Sequence, residues 1–216
     1  MPKWTPKHTS FMDPDMLRLF ERMNALDLKN YRMFGGTALA LYINHRHSID
    51  FDFFSETVVR RSDLQRFDWL SDAEFHGDEG MVDVIVTGTS RSITLNFIDL
   101  KLFSNVEPKF PPAYTRNGIP VANPVDLLAS KLAALSNRKE VKDYLDIATA
   151  VDSLPQCLEE AISIYLESPL TRETSPLDLA RTLQNFSLEV EYGLTKTHLS
   201  ALEKLINELH DDLREE

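Results

Sequence analysis

The sequence predicts an α+β fold in which a small mixed β-sheet flanked by helices is followed by a helical domain. Residues 48–103 contain three runs rich in β-branched and aromatic residues, the composition typical of strands. Residues 107–120 are rich in proline, and helical patterns follow one another beyond residue 123. We therefore predict an α+β domain over residues 1–106, a proline-rich connection over 107–120 and an α-helical domain over 121–216.

The composition is that of a globular protein with an acidic surface. The 216 residues are 43% hydrophobic and 26% charged, and the formal net charge is −11. This charge disfavours nucleic-acid binding over the whole surface, but it is compatible with a local basic pocket. The one cysteine, Cys157, excludes a disulfide within the chain. The first residues lack the apolar stretch of a signal peptide, and no apolar run is long enough to span a bilayer, so we expect a cytoplasmic protein with no membrane partner.

A helix, a short strand and a second helix are predicted first. Asp13 and Pro14 are typical of a helix start, and the apolar spacing after them predicts a helix that extends to about Lys29. Residues 31–34 are predicted to form a short strand. Gly35 and Gly36 then end this strand pattern, and the helix-favouring residues 37–43 follow.

Three longer strands are predicted next. The segment SIDFDFF (48–54) alternates polar and apolar residues, which predicts a strand with Asp50 and Asp52 on the same face. Residues 81–89 and 92–103 have the composition of two further strands joined by a turn.

The C-terminal half is predicted to be helical. Asn123 and Pro124 mark the start of its first helix, because a capping residue followed by proline favours a helix N-terminus. The helical pattern predicts further helices near residues 139–151, 155–167, 176–186 and 195–213.

Asp50 and Asp52 are the first candidates for chemistry. Two carboxylates on one face repel each other, and a divalent cation with oxygen ligands, such as Mg²⁺, relieves that repulsion. The alternative is that both side chains are simply solvated at the edge of a half-buried strand. The preceding Gly35-Gly36-Thr37 segment has two interpretations of its own. Glycines at a helix start expose backbone N–H groups to a phosphate, or they form an ordinary tight turn.

Two blocks of the sequence resemble a known family. The first, FGGTALALYINHRHSIDFDFF (34–54), resembles the AbiEii/AbiGii-like nucleotidyltransferase toxins, whose members carry a GGTAL-type motif, a basic residue, a serine and a DxD strand. The second, NPVDLLASKLAALSNRKEVKDYLDI (123–147), resembles the family's lysine-containing helix with a later arginine and a basic-Asp-x-x-Asp ending. By its spacing alone, the second block would also fit a charged outer face with pairs such as Lys142–Asp146.

The resemblance implies a polymerase-β-like nucleotidyltransferase core. Such a core binds Mg²⁺ through acidic residues and an NTP against the glycine turn, and transfers an NMP to an acceptor hydroxyl as pyrophosphate leaves. The resemblance also implies a toxin of a toxin–antitoxin or phage-defence system, with a cognate antitoxin as a protein partner. The acceptor is expected to be an RNA, such as a tRNA, or a protein.

The same resemblance assigns roles to individual residues. Asp50, Asp52, Lys131 and Asp146 are expected to be catalytic, and the first two are expected to bind the metal. The residues expected to bind the nucleotide are Gly35, Gly36, Thr37, Arg46, Ser48, Arg138, Lys142 and Asp143.

A third carboxylate is expected in this type of site, and the sequence does not supply it plainly. The favoured register of the strand SITLNFIDLKLF (92–103) places Asn96 at that position, and a neutral amide is a weaker ligand for Mg²⁺. Asp99 points to the opposite face, and Asp83 on the preceding strand is another candidate. Two alternatives follow: a catalytically impaired member that binds a nucleotide or a partner, and a small-molecule nucleotidyltransferase of the aminoglycoside-modifying kind.

Overall fold

The computed structural model describes residues 4–103, 107–168, 175–184 and 193–215. The described residues form two compact units. The first unit contains residues 4–103 and 108–123, and the second contains residue 107 and the chain from residue 124 onward. The predicted domain boundaries stay predictions.

The first unit is built on a seven-stranded mixed sheet, which confirms the mixed α and β content predicted from the sequence. The strand order is β3-β4-β5-β2-β1-β7-β6. The β2–β5 and β1–β7 pairs are parallel and the other pairs are antiparallel. The strands are β1 (Tyr31–Phe34), β2 (Asp50–Ser55), β3 (Glu74–His76), β4 (Met81–Thr87), β5 (Ser92–Asp99), β6 (Ala113–Tyr114) and β7 (Pro120–Val121).

The proline-rich segment contributes to this sheet. We predicted residues 107–120 as a connection, and the structure has the short strand β6 and the start of β7 within it. Strand β7 pairs with β1 through Met33 and Val121. Proline suits such a position, because a residue without an N–H group is tolerated at the start of a strand.

Along the chain, four α-helices alternate with the strands of the first unit. They are α1 (Pro14–Arg22), α2 (Gly35–Ile43), α3 (Arg61–Leu64) and α4 (Leu100–Phe103). Asp13 caps α1 as predicted, since its side chain accepts a hydrogen bond of 2.9 Å from the backbone of Met16. The predicted extension of α1 to Lys29 is wrong, because the helix ends at Arg22. The Asn24 side chain accepts a hydrogen bond from the backbone of Leu26 at 3.0 Å, and this local turn competes with the helix.

Alternation along β2 gives the sheet one apolar face. Phe51 and Phe53 are fully buried, and their rings stack on each other at 6.4 Å between centroids. Phe53 also stacks on Phe97 of β5, and Phe51 stacks on Phe20 of α1. Each such aromatic side chain removes a large apolar area from water, so these contacts hold β2, β5 and α1 together.

All regular secondary structure in the described part of the second unit is helical. Its helices are α5 (Pro124–Arg138), α6 (Val141–Ser153), α7 (Pro155–Glu167), α8 (Pro176–Gln184) and α9 (Lys196–Glu215). Three of them begin at a proline, which has the φ angle of a helix and lacks the N–H group that would stay unpaired there. The predicted helices are confirmed, apart from residues 185–186 of the fourth, which lie outside the described residues. None of the helices in the described part of the chain is long and apolar enough to cross a membrane.

One buried carboxylate, which the sequence did not reveal, joins α1 to the turn between β4 and β5. Asp15 is 5% exposed, and it accepts hydrogen bonds from the backbone N–H groups of Thr89 at 2.8 Å and Ser90 at 2.7 Å. Hydrogen bonds from Ser90 and Thr89 hold the pKa of the Asp15 carboxyl well below its ordinary value. A deprotonated Asp15 is therefore part of the folded structure.

We predict that Asp15→Asn lowers the melting temperature at pH 7 by several degrees, since the amide presents N–H groups to backbone donors. Because the folded-state pKa is lowered, the stability that Asp15 contributes is present above the unfolded pKa of about 3.9 and is lost as the pH falls through the folded pKa. The difference between variant and wild type should therefore shrink between pH 5 and pH 2.5 in thermal melts (on the order of the span of these two pKa values). Glu21→Gln on the exposed side of α1 is the control, and an equal loss there would contradict the prediction.

Candidate active site

The glycine turn brings the start of α2 directly against Asp52. Phe34, the last residue of β1, lies opposite Asp52 of β2, and Gly35 begins the helix with a φ angle of +73°. A Cβ atom on Gly35 would collide with the Asp52 carboxylate. Glycine is required at this position for two reasons: its backbone is in the left-handed region, and the carboxylate fills the space that a side chain would need.

A cation covers the second glycine. A Cβ atom on Gly36 would collide with the guanidinium group of Arg46, which also donates a hydrogen bond of 3.0 Å to the carbonyl of His47. The N-cap residue of α2 is Phe34, whose side chain forms no capping hydrogen bond. This helix start therefore presents backbone N–H groups beside a guanidinium, which is a favourable setting for an anion.

Thr37 fastens the helix to the start of β2. Its side chain is fully buried, its hydroxyl donates to the backbone carbonyl of Asp50, and it lies 2.8 Å from the hydroxyl of Ser48. These contacts fix the backbone at Asp50 relative to the glycine turn. The sequence predicted that Thr37 and Ser48 bind the nucleotide. In the structure the two hydroxyls contact each other and Thr37 bonds to the backbone, and the role of both residues in nucleotide binding stays a prediction.

The two predicted carboxylates lie on one half-buried face in the middle of the sheet. Asp50 and Asp52 alternate with the buried Phe51 and Phe53, as the period of two predicted. Strand β2 is the fourth of seven strands, with β1 and β5 hydrogen-bonded on its two sides. The two aspartates therefore lie on a central strand and are partly exposed, and their role as metal ligands stays a prediction.

Asn96 of β5 lies beside Asp52, as the favoured register predicted. It lies directly opposite Asp52 in the parallel pair of β2 and β5, and its Nδ2 donates to Asp52 Oδ1 at 2.7 Å. Asp83 of β4 lies opposite Asn96 on the other side, and its Oδ1 atom is buried without a hydrogen-bond partner among the described residues. Asp99 lies opposite Ser55 and is bonded to the backbone of Lys101 at 2.8 Å.

The side chains around Asp52 match a hard cation in type. Within the described part of the chain, no three His, Cys, Asp or Glu side chains lie together as a metal site. Two aspartates and the amide of Asn96 nevertheless provide oxygen atoms, the ligands that Mg²⁺ prefers, and Mg²⁺ commonly takes only one or two carboxylates together with substrate phosphates. On the same face, Asp83 Oδ1 is buried without a hydrogen-bond partner among the described residues. This polar face therefore contains an acceptor that the described side chains do not satisfy. The residues present therefore fit a divalent cation.

The second unit contains a separate cluster of charges between α5 and α6. Lys131 is 5% exposed, and its Nζ lies 2.7 Å from Asp146 Oδ2 and 3.3 Å from Asp143 Oδ1. Asp143 and Asp146 are fully buried. The interpretation of this block as a charged outer face is therefore wrong for these three residues, although Lys142 is half exposed and pairs with Glu140 at 2.8 Å.

Arg138 completes this cluster from a partly exposed position. Its Nε donates to Asp143 Oδ2 at 2.7 Å and its Nη2 to Asp143 Oδ1 at 2.9 Å, a two-pronged contact. Burial alone raises the pKa of Asp143, but the hydrogen bond from Arg138 and the charges of Lys131 and Arg138 outweigh it, so the pKa is lowered. Both cations stabilise a deprotonated carboxylate inside the unit.

Comparison with family models agrees with these two blocks. The model of the nucleotidyl transferase AbiEii toxin family, of type IV toxin–antitoxin systems, matches residues 18–215. The chain belongs to this family. The match to the AbiEii family extends over both units, so it includes the glycine turn, the paired aspartates and the cluster around Lys131. No protein among the curated ones matches the sequence.

Sequence reasoning placed Asp83 only among the alternatives, and it missed the contact between Asn96 and Asp52. The alternation of buried Val82 and Val84 with Asp83 was a readable signal, because it puts Asp83 on the polar face. The sequence contains no comparable signal for the register between β2 and β5, because these strands are far apart along the chain. The roles assigned to the site residues stay predictions.

We predict that two alanine substitutions in the glycine turn change the free energy of unfolding by different amounts. Gly35→Ala should lower the free energy of unfolding by about 1–3 kcal/mol, because it forces a left-handed alanine against Asp52. Gly36→Ala should change it by less than about 1 kcal/mol, since the flexible end of Arg46 can move and alanine favours a helix. Denaturant unfolding measures both, and equal losses would show that the Asp52 contact does not constrain Gly35.

We predict that Asp143→Asn lowers the free energy of unfolding by about 3 kcal/mol, the lower end for breaking a buried ion pair, because Arg138 is partly exposed. The matched control is Glu140→Gln, which removes a carboxylate from the exposed pair with Lys142 and should cost less than about 1 kcal/mol. Urea unfolding at pH 7 measures the two values. Because the pKa of Asp143 is lowered, its contribution is present above the unfolded aspartate pKa and is lost as the pH falls through the folded one. A difference between the two variants that stays unchanged at pH 3 would contradict this assignment.

Proposed function

We propose that the chain is an Mg²⁺-dependent nucleotidyltransferase that transfers an NMP from an NTP to an acceptor hydroxyl. The observation that carries this proposal is the position of Asp50 and Asp52 on the central strand, with Asp52 directly against Gly35 at the start of α2. A site for a metal-bound triphosphate needs anionic ligands for the metal next to donors for the phosphates, and these two elements supply both.

Asp50 and Asp52 would hold the metal ion through their carboxylate oxygens. When bound, a divalent cation supplies charge neutralisation for the phosphates and lowers the pKa of the attacking hydroxyl. Thr37 and Ser48 would keep the strand start in place beneath the site, since Thr37 bonds the backbone of Asp50.

The phosphates would bind at the N-terminus of α2. The backbone N–H groups of the Gly35-Gly36 turn and the guanidinium of Arg46 are the donors, and the missing side chain at Gly36 lets the guanidinium lie directly beside the turn. In the reaction, the acceptor oxygen forms a bond to the α-phosphorus as the bond from that phosphorus to the bridging oxygen breaks. Pyrophosphate leaves with the electron pair of the broken bond, and the proton of the acceptor hydroxyl passes to solvent water.

The residues of the second block are proposed to take part in the same chemistry, as the family resemblance implies. Arg138 and Lys142 are partly exposed cations and would bind phosphate oxygens. Asp143 and Asp146 would hold Arg138 and Lys131 in position, because their carboxylates bond these cations directly. Lys131 would contribute its positive charge as negative charge develops on the phosphates.

The family places this activity in a toxin–antitoxin system, and we propose that a cognate antitoxin protein binds the chain in the cytoplasm. The acceptor is an RNA, such as a tRNA, or a protein hydroxyl. The net charge of −11 means that an RNA acceptor would depend on local cations for its attraction. Labelled NTP followed into RNA and into protein separates the two acceptors.

One observation favours a second candidate, a member that binds a nucleotide but transfers it poorly. Asn96 stands opposite Asp52 where a third carboxylate is expected, and it is neutral. Calorimetric binding of Mg²⁺-NTP without incorporation of label into any acceptor would support this candidate. Incorporation that depends on Mg²⁺ would exclude it.

We predict that Asp52→Asn keeps the melting temperature within a few degrees of wild type but lowers Mg²⁺-dependent transfer by at least about 10²–10³-fold, the loss typical of one transition-state contact. The fold is retained because the asparagine oxygen can still accept the hydrogen bond from Asn96. Asp72→Asn, the same change at an exposed position, is the control and should transfer normally. Full transfer by Asp52→Asn would rule out its metal role, whereas a large loss of stability without metal would identify Asp52 as a structural acid.

A further inference from the structure

Four polar side chains form one row across the sheet of the first unit, which begins at the exposed His76 of β3 and continues through Asp83 and Asn96 to Asp52. Asp83 of β4 lies opposite Asn96 of β5, and Asn96 lies opposite Asp52 of β2. Residues directly opposite each other on neighbouring strands share a face of the sheet. Asn96 therefore stands between the two aspartates.

The amide of Asn96 is oriented for a site without a cation. Its Nδ2 donates to Asp52 Oδ1 at 2.7 Å, so its N–H groups face the carboxylate. A cation on that carboxylate would repel the N–H groups and attract the amide oxygen instead. A half-turn of the amide about its last torsion exchanges nitrogen and oxygen with almost no change in volume.

Asp83 provides the acceptor that such a half-turn requires. Turning its oxygen toward Asp52 points the Asn96 NH₂ group to the other neighbouring strand, where Asp83 lies. The Oδ1 atom of Asp83 is buried and has no hydrogen-bond partner in the described part of the chain. Buried acceptors without a donor are rare in folded proteins, and this one lies opposite a side chain that holds two donor hydrogens.

We propose that Asp83 is a positioning residue of the metal site: it accepts a hydrogen bond from Asn96 when the Asn96 oxygen turns toward a divalent cation on Asp52. This inference rests on the proposed function, because it requires the cation at Asp50 and Asp52. Asp83 itself lies two strands from β2, about 10 Å away at a spacing of about 4.8 Å per strand, with Asn96 between. It therefore acts through Asn96.

The test measures binding of Mn²⁺ alone, by electron paramagnetic resonance of the free ion, with no nucleotide present. Asp83→Leu and Asn96→Leu should each weaken Mn²⁺ binding about tenfold, the lower end for losing a partner of a metal ligand. The double variant should bind no more weakly than either single variant, because the two residues form one unit. Asp83→Asn should lose less than Asp83→Leu, since its amide oxygen can still accept.

Two further measurements distinguish a positioning role from a structural one. Without metal, Asp83→Leu and Asp83→Asn should melt at or above the wild-type temperature, because the unpartnered oxygen contributes no hydrogen bond. The side-chain NH₂ signals of Asn96 in nitrogen-15 NMR spectra should shift on addition of Mg²⁺ in the wild type and not in Asp83→Leu. Glu74→Gln on the exposed β3 is the control for simple loss of negative charge and should leave Mn²⁺ affinity unchanged.

Each result contrary to these expectations would rule out a specific part of the proposal. Multiplied losses in the double variant would show that Asp83 acts independently of Asn96, and a much lower melting temperature without metal would make it a structural residue. If Asp83→Leu does not fold, the cycle of Asp83→Asn with Asn96→Leu gives the same decision. Asp52→Asn distinguishes failure of the proposed metal site from failure of the role of Asp83. Unchanged Mn²⁺ binding in Asp52→Asn refutes the metal site. Weakened binding in Asp52→Asn together with normal binding in Asp83→Leu refutes only the role of Asp83.

Discussion

The pairing of β2 with β1 and β5 is the constraint on which the candidate site depends. The β1 pair sets Phe34 opposite Asp52, so the chain leaves β1 and turns into α2 directly beside that carboxylate. The β5 pair sets Asn96 on the other side. A slip of one residue would bury the aspartates and expose Phe51 and Phe53, so the burial of these two rings holds the register and, with it, the site.

The two units treat buried charge in different ways. Around Lys131, carboxylates and cations pair at hydrogen-bond distance, so each buried carboxylate has a cation beside it. Asp52 accepts a hydrogen bond from a neutral amide, and Asp83, the next carboxylate in the row, has an oxygen without a partner among the described residues. The first arrangement stabilises a helix pair, whereas the second leaves negative charge available to a cation.

Local patterns in the sequence were sufficient for most of the elements. Alternation predicted β2 and its aspartate face, and capping by Asp13 predicted the start of α1. The end of α1 was predicted wrongly, because the apolar spacing continues past Arg22 while the Asn24 side chain closes a turn with the backbone. Helix ends of this kind depend on competition between a side chain and the helix for the same N–H group, which periodicity does not measure.

By itself, the sequence determined the alternating strand, the glycine turn, the helical C-terminal half and the family motifs, because each depends on residues that are close along the chain. Only the tertiary structure decided that Asn96 contacts Asp52, that Asp83 stands behind Asn96, and that Lys131 is buried between two carboxylates. The first two contacts depend on which strands are neighbours and in what register, and that choice is made by the packing of the aromatic core. The third depends on how α5 packs on α6, because that packing brings Lys131 within reach of the two buried carboxylates.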